Sequence, residues 1–298
     1  MDDETRWLTI QEQVSLGCAS PHSQRAYQGA LRSYFAWAKV HRQSFSKGSI
    51  LKYRDFLSNS QNLAPKSVNL HLTVLRRLAK EAVEIALIPS RLYTAILNIP
   101  MVPNRGVRNG VWLPHEQAKR ILSAPNKRRL VGKRDYLVLM LMLRCGLRRA
   151  EICHLDVRVA REERDRWVLA NLKGKGNRVR TVPLPGVVKN AWDSWLDAAG
   201  IESGRVIRAI DRYGHVRDGG VTEDTIWRIV GRYAQLALGK HVAPHDLRRT
   251  FGRLCYEISK DMREIQRFYG HSSVMTTERY LSIEQNLDDP VNDRLGLS

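Results

Sequence analysis

The sequence predicts a mainly α-helical protein with a small antiparallel β component, divided into two domains. Apolar residues recur at helical spacing through most of the 298-residue chain. The period changes around Trp167 to Leu184, where two short apolar runs flank the turn-rich KGKGN. The stretch IPMVPNRGVRNG combines Pro, Gly, Asn and Arg with no apolar period, as a linker does. The resulting division is a helical domain over 1–99, a linker over 100–111, and a larger mixed α+β domain over 112–298 that ends in a C-terminal tail.

In the first domain, Tyr27, Leu31, Tyr34, Phe35 and Ala38 share one face of a helix over about 22–41, with Ser23 as its expected cap. A second helix is expected from Ser49 to Asn59. A third, from Pro65 to about Ile85, carries Val68, Leu72, Leu75, Leu78, Ala79 and Ala82 on one face and the cations Lys66, Arg76, Arg77 and Lys80 elsewhere. A fourth fits Ser90 to Leu97. In the second domain, Pro114 and Glu116 open a helix, and a strongly apolar helix covers Asp135 to Leu143. A short segment, Arg148 to Leu155, precedes the hairpin of Trp167–Leu172 and Val179–Leu184. Helices resume at 187–199, 222–238, 246–259 and 263–269.

Lys and Arg outnumber Asp and Glu by 49 to 30, a formal charge of +19. Such a balance attracts a polyanion, and the cations are spread through helical segments, which suits a fold that wraps its ligand. A solvated basic surface is the plain alternative. Cys18, Cys145, Cys153 and Cys255 form no C-x-x-C pair and read as free thiols in a reducing compartment. No signal peptide or membrane span is visible, so the chain is expected to be soluble and cytoplasmic. Gly239-Lys240 lacks the glycine spacing and the Ser or Thr of a phosphate loop.

The most informative residues are His245, Arg248, His271 and Tyr280, joined by Arg148, Glu151 and Lys175 upstream. Together they suit phosphodiester cleavage by a tyrosine nucleophile. Attack at phosphorus places extra negative charge on the non-bridging oxygens, and an arginine fork meets it with two parallel hydrogen bonds. Arg148 and Arg248 are the candidates. A phenol titrates near 10, so it needs a base; His245 can take the proton, and Lys175 can protonate the departing 5′ oxygen. His271 can donate to the phosphate. Glu151, one turn after Arg148, can orient an arginine or a histidine, or form an ordinary surface ion pair. Taken singly, each residue has a structural reading too: a solubilising turn lysine, a packed histidine, a half-buried tyrosine. Metal-dependent cleavage would need clustered carboxylates, and the informative segments carry Arg, His and Lys instead; no metal ligand set is expected.

GLRRAE with Arg148, KGKGNRVRTVPL with Lys175, HDLRRTF with His245 and Arg248, and YGHSSVMTTERYL with His271 and Tyr280, in this order, resemble the tyrosine recombinases, or phage integrase family. The resemblance covers nearly the whole chain, because SQRAYQGALRSYFAWA and APKSVNLHLTVLRRLAKEA resemble that family's helical core-binding, SAM-like domain. It implies a catalytic domain that closes with the core-binding domain as a clamp around duplex DNA carrying short inverted core sites. It implies that Tyr280 attacks a DNA phosphate to give a 3′-phosphotyrosyl link, with strand exchange through a Holliday junction. Neither ATP nor a metal is implied as cofactor. The implied assembly is a homotetramer on two paired sites, monomeric in solution, in the bacterial cytoplasm at the nucleoid.

Cys145, Arg149, Ala150 and Arg249 depart from the residues usual at those places. Arg105 and Arg108 in the linker, with Lys66, Arg76, Arg77 and Lys80, are candidate DNA contacts. Leu287, Val291 and Leu295 suggest a tail that docks on a neighbouring subunit. Integration of a mobile element is the favoured biological use. Chromosome-dimer resolution, a type IB topoisomerase-like activity and a catalytically silent DNA-binding protein remain as alternatives.

Overall fold

The computed structural model describes residues 3–18, 20–103, 112–174, 179–270 and 273–281. Two compact units meet in sequence between Val107 and Arg108.

The first unit is helical: α1 (Asp3–Leu16), α2 (Pro21–Val40), α3 (Lys47–Asp55), which runs on into a π-turn over Phe56–Ser60, α4 (Pro65–Glu84) and α5 (Ser90–Leu97). Helix α4 buries Val68, Leu72, Leu75, Leu78, Ala79 and Ala82 against Ile10 and Val14 of α1, Leu31 and Tyr34 of α2, and Tyr53 of α3. Helix α1 has no counterpart in the sequence reading. Trp7, Ile10 and Val14 face the core, but Leu8 and Leu16 point to solvent, which blurs the period. The cap of α2 is Ser20, whose hydroxyl accepts from the Ser23 backbone N–H at 3.1 Å, and not Ser23 itself. Pro21 at the first helical position fixes the start there.

The second unit begins with α6 (His115–Ser123), α7 (Leu130–Arg144) and α8 (Arg149–His154). Helix α7 is buried on all sides from Leu137 to Leu143 and forms the spine of the core. A three-stranded antiparallel sheet follows, β1 (Ala160–Glu163), β2 (Arg166–Lys173) and β3 (Val179–Pro183), in that order. Then come α9 (Gly186–Ala199), a second hairpin of β4 (Arg208–Ile210) and β5 (Val216–Gly220), and α10 (Glu223–Leu238). The unit closes with α11 (Pro244–Ser259), α12 (Met262–Tyr269) and α13 (Val274–Leu281). The fold is thus mainly helical with small antiparallel sheets, as predicted; β1 and the β4–β5 hairpin are additions to the expected strands.

The β2–β3 register shifts by one residue between Leu169 and Leu172. Asn171 sits there at φ 55°, a left-handed conformation that Asn tolerates better than most residues. The extra residue lets Leu169 and Leu172, three apart, both face the core. On β3, Arg180 shares its face with the buried Val182, so this arginine also points inward.

Candidate active site

After α7 the chain turns at Gly146, whose φ of 61° and close approach to the Phe251 ring leave no room for a Cβ. The turn brings Arg148 to the N-cap of α8 in extended backbone. At the third helical position, the Glu151 carboxylate reaches back and accepts from the Arg148 backbone N–H at 2.8 Å, half of a capping box. Its other oxygen accepts from Nη1 of Arg148 at 2.8 Å. The spacing Arg-x-x-Glu fixes the arginine at backbone and side chain alike.

Glu151 is no surface pair, since 5% of its side chain is exposed. Arg180 of β3 forks onto both its oxygens, at 2.7 and 2.8 Å, and Nη1 of Arg248 lies 3.8 Å away. Arg248 is 2% exposed and donates to the Gly146 carbonyl and, at 3.1 Å, to the Tyr269 carbonyl. That same Tyr269 carbonyl accepts from Arg148 at 3.1 Å. Three guanidiniums therefore surround one carboxylate and the last carbonyls of α12, where the helix dipole favours cations. Burial alone would raise the Glu151 pKa. The hydrogen bonds and charge of Arg180, the Arg148 N–H and the charge of Arg248 outweigh it and hold the carboxyl at about 2.

His245 stands on the first turn of α11, beside Arg248 and Arg249. The atoms packed behind its ring, and the charges of Arg249, Arg248 and Arg148, push its pKa down to about 4 against the opposing pull of Asp246. It is neutral at pH 7 and able to accept a proton. Arg148, His245 and Arg248 line one cleft of about 420 Å³, with Trp227 on its wall and the Arg149–Glu223 ion pair, 2.7 Å apart, at its edge.

The structure thus brings together Arg148, Glu151, His245 and Arg248. Lys175 and His271 lie outside the described residues. Tyr280 is described in backbone only, as the penultimate residue of α13. The next residue, Leu281, is buried with Phe251, Ile265 and Tyr269, so the strand of contacts that seats α13 reaches the position beside the tyrosine.

Among the candidate DNA contacts, Arg105 and Arg108 also lie outside the described residues. Lys66 and Lys80 face solvent on α4. Arg76 and Arg77 are half-buried on the same helix. Arg76 donates to the Ile99 carbonyl at 2.5 Å and Arg77 to the Gly17 carbonyl at 3.0 Å, so both brace their own unit.

Sequence reasoning missed Arg180 and Tyr269. For Arg180 a signal existed: it stands two residues before the apolar Val182 on a strand, and residues two apart share a face. Tyr269 is buried packing whose hydroxyl and carbonyl both serve Arg248, which no motif spacing reveals.

The second unit thus presents an arginine-lined cleft with a neutral histidine, and its last described helix carries a tyrosine. The sequence profile described as Phage integrase family matches residues 111–286. The tyrosine recombinase XerA of Thermococcus kodakarensis is 30% identical over 273 residues, 89% of this chain and 86% of that one. The tyrosine recombinase XerC of Corynebacterium efficiens is 27% identical over 261 residues, covering 80% and 82%. The crystal structure of XerH site-specific recombinase bound to a palindromic difH substrate shares the fold, with TM-score 0.70 and 19% identity over 89% of this chain and 77% of that one. The chain belongs to the phage integrase family, the tyrosine recombinases, which cleave and rejoin DNA.

Proposed function

We propose that this recombinase exchanges strands between two duplexes carrying short inverted core sites, with Tyr280 as nucleophile. The observation that carries the reading is the shared cleft of Arg148, His245 and Arg248. Arg148 and Arg248 bind the non-bridging oxygens of the scissile phosphate and stabilise the charge that grows there during attack. His245 takes the phenol proton as the Tyr280 oxygen bonds to phosphorus. The bond from phosphorus to the 5′ oxygen breaks, and that oxygen leaves with a proton supplied by Lys175. His271 donates to the phosphate. The product is a 3′-phosphotyrosyl link and a 5′-hydroxyl. Attack by the 5′-hydroxyl of the partner duplex reverses the chemistry, frees Tyr280 and builds a Holliday junction. The bond count is conserved at each step, so no external energy source enters.

The helical unit over 1–99 is the DNA-holding partner of the catalytic unit in this reading, and Lys66 and Lys80, with Arg105 and Arg108, supply phosphate contacts. Four copies act on two paired sites. Integration of a mobile element is the use we favour; Cys145, Arg149 and Arg249, which depart from the family's usual residues beside the catalytic arginines, tune the chemistry and do not decide the use. A second use, chromosome-dimer resolution, is favoured by the XerA and XerC relatives.

One experiment tests chemistry and use together: trapping the covalent adduct on genomic DNA and sequencing its attachment point. Wild type gives a 3′ adduct at Tyr280, and Tyr280→Phe binds DNA and gives none. An adduct formed by Tyr280→Phe sinks the assignment. Attachment at the ends of a mobile element supports integration; attachment at one fixed chromosomal locus supports dimer resolution.

A further inference from the structure

Arg180 lies between the sheet and the arginine cleft with 8% of its side chain exposed. Its Nε donates to the Phe268 carbonyl at 2.8 Å, and its two terminal nitrogens donate to the two oxygens of Glu151 at 2.7 and 2.8 Å. Unlike Arg148 and Arg248, Arg180 does not line the cleft, and all three of its guanidinium nitrogens are taken up by Glu151 and the Phe268 carbonyl, so it is not placed to contact DNA. It does grip the two supports on which Arg148 and Arg248 rest. One is the Glu151 carboxylate. The other is the end of α12, where the Tyr269 carbonyl, one residue beyond Phe268, accepts from both Arg148 and Arg248. Among the described residues, three guanidiniums share one carboxylate and the negative end of α12. Like charges held this close stay in register only if their shared counter-charge is fixed and ionised.

We infer that Arg180 is a positioning residue for cleavage: by bracing Glu151 and the Phe268–Tyr269 turn, it sets the spacing of Arg148 and Arg248 at the scissile phosphate without touching the DNA. The inference rests on the phosphate-binding role proposed for those two arginines. It also has a signature that plain packing lacks. The charges that face Glu151 are Arg148 from the cap of α8, Arg180 from β3 and Arg248 from α11, while α12 presents backbone carbonyls. With Arg180 neutralised, the buried carboxyl keeps fewer cations and binds a proton more readily. Once protonated, it no longer holds Arg148 as an ion pair, so cleavage becomes sensitive to mild acid.

The test uses the full chain as wild type, Arg180→Gln and Arg180→Lys. Single-turnover adduct formation is followed between about pH 5 and 8 on the duplex recovered by adduct mapping, with binding of that duplex measured by fluorescence anisotropy. Arg180→Gln is expected to bind within about threefold of wild type and to form adduct about 100-fold more slowly at pH 7, with a further loss toward acid. Arg180→Lys, which restores the charge but not the fork, recovers about tenfold of that rate. A wild-type rate and pH profile in Arg180→Gln overturns the inference. So does a loss that is independent of pH and unrelieved by lysine.

If wild type itself forms no adduct, the proposed function fails separately, and Arg180 is judged on Glu151 alone. In protein labelled with ¹³C at glutamate carboxyls, the Glu151 resonance is assigned by its absence in Glu151→Gln. A titration midpoint at least about one pH unit higher in Arg180→Gln than in wild type sustains the bracing role. An unshifted midpoint overturns it.

Discussion

Arg248 and Tyr269 hold each other at three points. The guanidinium carbon lies 4.4 Å from the centre of the tyrosine ring, its Nη2 donates to the Tyr269 carbonyl at 3.1 Å, and the Tyr269 hydroxyl donates back to the Arg248 carbonyl at 2.6 Å. This lock ties α11 to α12. Tyr269→Phe keeps the ring and removes the hydroxyl, which costs about 1 kcal/mol and lowers the melting temperature of the second unit by about 2–4 °C. Gly252→Ala should cost more, because a Cβ there collides with the Tyr269 hydroxyl and forces the ring off Arg248. Thermal melts of the two variants check the order; a milder effect of Gly252→Ala contradicts it.

The two cleft arginines differ in what their loss should do. Arg148 is 29% exposed, so Arg148→Ala leaves a solvated gap and a Glu151 still forked by Arg180. Arg248 is buried, and Arg248→Ala strips hydrogen bonds from the Gly146 and Tyr269 carbonyls. The first variant is expected to melt close to wild type and lose adduct formation by about 100-fold or more. The second loses about 3 kcal/mol or more of stability besides. Equal melting temperatures for both refute the distinction.

How far the site was legible in the sequence depends on the range of the interactions. Arg148 and Glu151 lie within one helical turn, so GLRRAE displays their pairing, and HDLRRTF displays His245 and Arg248 in the same way. Arg180 meets Glu151 across 29 residues, on a strand whose partner is shifted by the bulge at Asn171. The motif KGKGNRVRTVPL shows that arginine without showing where it points. Arg76 and Arg77 look like exposed cations beside an apolar helical face, yet their targets, Ile99 and Gly17, belong to other segments. The core of α4 was readable because its apolar residues share one face. Helix α1 was not, because Leu8 and Leu16 turn away from Ile10 and Val14.

Glu151 makes stability depend on pH in the acid range. Its folded pKa of about 2 lies below the ordinary 4.5 of an unfolded chain. A depressed carboxyl contributes its full stabilisation above about pH 4.5 and loses it as pH falls through about 2. The shift corresponds to about 3 kcal/mol at neutral pH, an upper figure for so tightly paired a group. Glu151→Gln should therefore unfold more easily than wild type at pH 7, and the gap should narrow below about pH 4. Denaturant melts at both pH values measure it; a gap that widens in acid rules it out.

His245 carries the opposite requirement for function. At a pKa of about 4 it is neutral but a weak base, because proton transfer is most effective when the base titrates near the working pH. A phosphate anion seated between Arg148 and Arg248 offsets the charges that depress it, so DNA binding should raise its pKa. In the free protein, the neutral ring stabilises the fold fully above the unfolded value of about 6.5 and the benefit is lost as pH falls toward 4. Imidazole proton resonances, assigned with His245→Gln, should titrate below about pH 5 without DNA and at higher pH in the complex. A midpoint that stays put on DNA binding removes His245 as the base.

The cations of α4 offer a test of which ones meet DNA. Counterion release makes the salt dependence of binding a count of phosphate contacts, each contributing about 0.9 to the log–log slope. Lys66 and Lys80 face solvent, Lys80 within 3.5 Å of Glu84, and neither is needed to hold the helix. Lys66→Ala and Lys80→Ala should each lower the slope by about one while leaving the melting temperature unchanged. Arg76→Ala and Arg77→Ala remove braces to Ile99 and Gly17 and should lower the melting temperature of the first unit by several degrees. Anisotropy titrations over a range of potassium chloride, paired with melts, separate the two kinds of residue. If the arginine variants reduce the slope at wild-type stability, these groups leave their carbonyls on DNA and the assignment of α4 reverses.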